Sequence, residues 1–171
     1  MKRLPLLIIM GLTWLLTIQV VALSGLVHPV GKTITLEQER EMIGVAALKV
    51  GMTEPNQKIL RAIQMVSQQT GLSKPFLLCL MWSESSFEPK AISNRNYKGL
   101  MQVPYNVFYE DANCLIGARI FLEKLKITKG DYRKALVLYK GWPLGDPKGL
   151  AQADKVINLT LRMKKHLKED V

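Results

Sequence analysis

Ser83-Glu84-Ser85-Ser86-Phe87 sets one carboxylate where an apolar run, Phe76 to Trp82, gives way to a polar stretch. A carboxyl group at such a junction is partly withdrawn from water, and withdrawal favours its neutral form. A carboxyl held neutral near physiological pH can protonate a leaving oxygen, which is what general acid cleavage of a glycosidic bond requires. The residue type alone says little, because most Glu side chains are solvated surface groups. No second carboxylate stands in a comparable motif, so the usual pairing of an acid with a nucleophile or base has no evident second member.

Such an acid needs a scaffold, and the apolar periodicity is helical almost throughout. Thr35 and Gln38 have the spacing of a capping box, which opens a helix ending near Val50. Pro55 suits the first turn of a second helix with Ile59, Leu60, Ile63 and Val66 on its apolar face and Gly71 at its end. Ser73 caps a third, Lys74 to about Ser85, apolar nearly all round and therefore central. Glu88 to Tyr97 loses the periodicity and reads as a loop or small hairpin, and Lys98 to Val103 adds a short extended piece. Asp111 caps a helix to Lys126 whose residues Leu115, Ile116, Ile120, Phe121, Leu122 and Leu125 face inward. Asp131 caps another to Lys140, Gly141 to Gly149 is loop, and Leu150 to Lys168 forms the last helix. The fold class is mainly α, in an α+β lysozyme-like sense: a single helical domain with a small loop or hairpin region. The expected divisions are 1–27, an N-terminal hydrophobic export segment; 28–53, a linker with the first helix; and 54–171, the main domain.

Read in order, Glu84-Ser85-Ser86-Phe87, Gly99-Leu100-Met101-Gln102, Asn113 with Gly117-Ala118 and Phe121-Leu122, and Ala135-Leu136 with Tyr139 resemble the lytic transglycosylase (SLT-type) family of the lysozyme superfamily. The resemblance runs from about Ile59 to Val156. It implies that Glu84 is the catalytic acid, that Ser85 supports the site, and that Gly99, Leu100, Met101 and Gln102 form the turn lining the sugar cleft. It implies further that Tyr139 lies near the catalytic carboxyl and that Asn113 belongs to the substrate-binding set. The activity implied is cleavage of the MurNAc-GlcNAc β-1,4 bond of peptidoglycan with formation of 1,6-anhydroMurNAc, a carbon-oxygen lyase reaction that needs no metal or other cofactor. One Glu then acts twice, first as acid and afterwards as base toward the C6 hydroxyl. A hydrolytic muramidase and a non-catalytic wall-binding assembly protein are the alternatives. Two departures stand out: the family's Tyr-Asn pair is Tyr139-Lys140 here, and the stretch from Gln102 to Asn113 is short, with Pro104 early.

Leu4 to Val27 has no Asp, Glu, Lys or Arg and follows Lys2 and Arg3, so it reads as an export segment. Ala22-Leu23-Ser24 before Gly25 is an acceptable cleavage site, which leaves a removed signal peptide and a retained inner-membrane anchor both open. The expected location is periplasmic in either case. Without Lys2 and Arg3 the balance is 22 basic to 14 acidic residues. That excess, partly in Arg162, Lys164, Lys165 and Lys168, favours polyanions such as wall polymer, but no aromatic residues interleave as a nucleic-acid surface would require. Expected partners are peptidoglycan glycan strands, the inner membrane if the segment is retained, and a secretion, conjugation or phage apparatus. Cys79 and Cys114 are too few for a disulfide framework and lack metal-site spacing; a disulfide and two separate buried thiols remain open.

Overall fold

The computed structural model describes residues 34–169. The chain divides into two units, Met1–Thr35 and Leu36–Val171, and the expected export segment, 1–27, lies outside the described residues. Among the described residues no helix is long and apolar enough to cross a membrane.

The described residues of the second unit form six α-helices: α1 Leu36–Lys49, α2 Gln57–Thr70, α3 Lys74–Ser85, α4 Glu110–Ile127, α5 Tyr132–Tyr139 and α6 Pro147–Glu169. The expected mainly α fold is what forms, with two isolated antiparallel bridges, Ile92 to Lys98 and Lys98 to Val103, in place of a developed sheet. α2 packs on α4 and α3, α4 on α5, and α6 lies against α1, α3 and α5. α3 is the centre of this arrangement because its consecutive residues Phe76, Leu77, Leu78, Cys79, Leu80 and Met81 are all buried. A short helix without a polar face gains stability only when neighbours cover every side of it.

Helix ends follow local chemistry. Pro55 lies just ahead of α2 instead of in its first turn, and Asn56 is the N-cap: its side chain accepts from the Ile59 N–H at 3.0 Å. Gly71 closes α2 in the left-handed region at φ 72°, where its missing Cβ avoids strain. α4 starts at Glu110, so Asp111 lies inside its first turn instead of capping it. α6 starts earlier than Leu150, at Pro147, and the Asp146 side chain accepts from the Gly149 N–H at 2.8 Å. Proline fits there because the first turn of a helix has no intrahelical use for its N–H.

The inward face of α4 is smaller than its Leu and Ile residues suggest. Asn113, Cys114, Gly117, Ala118 and Phe121 are buried, while Leu115, Ile116, Ile120, Leu122 and Leu125 are only partly covered. Small residues prevail because another segment presses close: a Cβ on Gly117 would stand 2.4 Å from the Met101 Cβ. Phe121 anchors the far end, with Phe76 at 4.7 Å, Tyr132 at 5.5 Å and Tyr139 at 6.2 Å between ring centroids. That aromatic cluster joins α3, α4 and α5 and fixes where Tyr139 stands. Cys79 and Cys114 are free and buried, so of the two open readings the separate thiols are the one observed.

Candidate active site

α3 ends abruptly beside its carboxylate. Ser86 and Phe87 both adopt the left-handed region, at φ 52° and 67°, and the Ser86 N–H donates to the Trp82 carbonyl. Non-glycine residues enter this region at a cost, which the burial of Phe87 against Trp82, 5.1 Å between centroids, helps to offset. The chain thus turns away just after Glu84 and leaves its side chain at the rim of the helix.

Glu84 lines a cavity of about 360 Å³ together with Ser93, Asn94, Arg95, Gln102, Tyr139 and Lys140. Its side chain is 13% exposed, and its Oε1 accepts from the Lys140 Nζ at 2.5 Å. Lys140 is more covered still, at 7%, and donates also to the Ser83 Oγ at 2.9 Å. The carboxylate is therefore withdrawn from water as expected, but it is one half of an ion pair. Among the described residues Glu84 is the only acidic one in the cavity wall.

Asn113 organises the opposite wall. Fully buried, it accepts at Oδ1 from the Met101 N–H (2.8 Å) and donates through Nδ2 to the carbonyls of Lys98 (2.9 Å) and Val107 (2.7 Å). These three bonds fold the turn Gly99-Leu100-Met101-Gln102 around one amide. Gly99 has φ 75°, and a Cβ there would meet the Asn113 Nδ2 at 2.3 Å, so glycine is required twice over. The Tyr139 hydroxyl donates to the Met101 carbonyl at 2.7 Å and ties the turn to α5. Burial, followed by the charges of Glu84 and Cys114, pushes that hydroxyl well above its ordinary range, which keeps its proton in place for this bond. Gln102, at φ 46°, donates to the carbonyls of Gly99 (2.9 Å) and Ala91 (3.3 Å) and so holds the bridged loop against the turn.

Glu84, Gln102 and Tyr139 thus come together on one cavity. Leu100, Met101 and Asn113 are fully buried behind its wall, with Gly99 beside them, and they shape the cavity without lining it. Ser85 points back along its own helix and donates to the Met81 carbonyl at 3.3 Å, away from the cavity lining. Lys140 and Arg95 are wall residues that were not in the expected set. Arg95 lies in the polar stretch Glu88 to Tyr97, whose composition was the available signal, and Lys140 was visible only as the departure from Tyr-Asn.

Residues 61–113 match the family model described as Transglycosylase SLT domain. The matched stretch carries Glu84, the Gly99-to-Gln102 turn and Asn113, and it stops before Tyr139 and Lys140. No curated protein and no solved structure matches the chain. The resemblance read from the residues and the matched model agree on a transglycosylase SLT domain over this central stretch.

Proposed function

We propose that this chain cleaves the MurNAc-GlcNAc β-1,4 bond of peptidoglycan and leaves a 1,6-anhydroMurNAc end. The observation that carries this reading is a single carboxylate, Glu84, on the wall of a cavity that it shares with Gln102 and Tyr139 and, among the described residues, with no second acidic one. Two-carboxylate mechanisms need an acid and a partner flanking the bond, and this wall offers no partner. The reaction that suits one carboxylate uses the substrate as nucleophile. Glu84 protonates the leaving glycosidic oxygen, then as carboxylate takes the proton of the C6 hydroxyl, which closes onto C1. The remaining residues divide by burial: Gln102 and Tyr139 face the glycan, Gly99, Leu100, Met101 and Asn113 hold the turn in register, and Ser85 steadies the end of α3.

Such work belongs outside the cytoplasm. Leu4 to Val27 would deliver the domain there, as a signal peptide or as an inner-membrane anchor. An anchored form would act on wall strands near the membrane, where a secretion, conjugation or phage apparatus would have use for a local opening.

Digestion of purified murein tests the reaction. Wild-type protein should release anhydromuropeptides, each lighter by one water than the product of a hydrolytic muramidase, and Glu84→Gln should release none. Full-mass reducing ends would move the assignment to hydrolysis. One observation favours a non-catalytic wall-binding protein: Lys140 already occupies the carboxylate on which the reaction depends. That reading predicts equal murein binding by wild type and Glu84→Gln, with neither one cutting.

A further inference from the structure

A second cavity, of about 680 Å³, opens on the other side of Lys140. α6 supplies Lys155 and Arg162 to its wall, the end of α3 supplies Trp82 and Ser86, and no acidic residue among those described lines it. Lys155 has no ion-pair partner among the described residues. Arg162 spends one guanidinium nitrogen on the Val50 carbonyl at 3.3 Å and makes no carboxylate contact among the described residues. Lys140 lines both cavities, and its one countercharge, Glu84, belongs to the first. Three cations without an anion on their own side make a concave positive site, in which field lines concentrate. Gln152 and Asn158 add amide groups and Trp82 adds an aromatic surface, an assortment that suits a peptide better than a bare phosphate.

We propose that this second cavity is a subsite for the carboxylates of the stem peptide carried by the glycan, and that its occupant draws Lys140 from Glu84. The ligand class rests on the murein reading above; the positive cavity itself does not. In the resting pair Glu84 accepts a hydrogen bond from an ammonium, and a carboxylate so engaged has no proton to give a leaving oxygen. A carboxylate entering the second cavity offers Lys140 another acceptor across a short side-chain rotation. Glu84 is then free to take up a proton from solvent and act as the acid. Lys140 is on this account a positioning residue, and cleavage is coupled to the presence of the peptide.

Calorimetry on the full chain with a murein disaccharide-peptide measures the subsite, the comparison ligand being the same fragment with its peptide carboxylates converted to amides. Glu84→Gln protein avoids turnover. It should bind the native fragment about tenfold more tightly than the amidated one, the order of effect expected for a charge-assisted contact. Adding Lys155→Gln and Arg162→Gln should erase that preference, whereas adding Lys164→Gln and Lys168→Gln, an equal loss of charge elsewhere on α6, should keep it. The proposal is overturned if the Glu84→Gln protein does not distinguish the fragments, or if the Lys155→Gln/Arg162→Gln addition leaves the preference intact. It is overturned equally if the two cations serve retention on phosphatidylglycerol vesicles and not fragment binding. The coupling is read from rates: wild type should cut native murein with a higher kcat than amidated murein, and Lys140→Met should cut both at one rate. Fragment discrimination without any cleavage by the wild type would retain the subsite and remove the reaction; cleavage without discrimination would do the reverse.

Discussion

One amide carries more of this site than any group in contact with solvent. Asn113 accepts once and donates twice, all to backbone, and no other side chain of its size offers both functions in that geometry. Asn113→Ala should therefore lower stability by about 3 kcal/mol, because it strands a buried N–H and two carbonyls, and a urea unfolding midpoint reads the loss. Asn113→Asp should fare no better, since a carboxylate would replace the donated bonds to Lys98 and Val107 with repulsion. A stable Asn113→Ala protein with unchanged unfolding midpoint would show that the turn holds without it. Sequence alone assigned Asn113 to the site through a resemblance, but its partners are Lys98, Met101 and Val107, which only the closed turn brings to one point. Lys140 was harder still to see. Its partner Glu84 is 56 residues away, and nothing in Tyr139-Lys140-Gly141 announces a contact with the end of α3.

Elements that bury a continuous stripe were readable from periodicity, and those that meet another segment at close range were not. α3 was legible nearly end to end, Lys74 to about Ser85, because Ser73 and a nearly unbroken apolar run leave one solution. The packing face of α4 was misjudged because hydrophobicity ranks Leu and Ile above Gly and Ala, whereas close approach ranks them the other way. Gly117→Ala tests that account. The added methyl would collide with the Met101 Cβ and Cγ, at 2.4 and 2.9 Å, atoms too near the backbone to move aside. Overpacking of this kind costs about 1–3 kcal/mol, and it should displace the turn that carries Gln102. Activity on murein should fall further than stability explains, as measured at a temperature where both proteins are fully folded. Proportional losses would mean that α4 supports the fold and not the turn in particular. The α6 boundary shows the same limit at smaller scale: Pro147 reads equally as a loop residue and as a helix start until Asp146 is seen capping it.

At the scale of the whole molecule, the two thiols set how the fold responds to alkali. Burial pushes Cys79 from 9.0 up to about 12, against weaker opposing contributions from Thr160 and Arg162, and it does the same to Cys114, with Asp111 adding to the shift. A pKa raised in the folded state means that the native protein keeps a proton that the unfolded chain releases. Their contribution is complete below about pH 9 and drains away as the pH climbs toward 12, since the unfolded state then binds fewer protons. Unfolding free energy measured in that window should fall steeply, and Cys79→Ala/Cys114→Ala should flatten the fall even though its stability at pH 7 is lower. An unchanged slope would assign the alkaline loss to other groups. Because neither sulfur is bonded and both are sealed inside, maturation asks nothing of an oxidant. The domain can reach its native form in a reducing cytosol as readily as beyond the membrane, and no disulfide isomerase need attend it on either side.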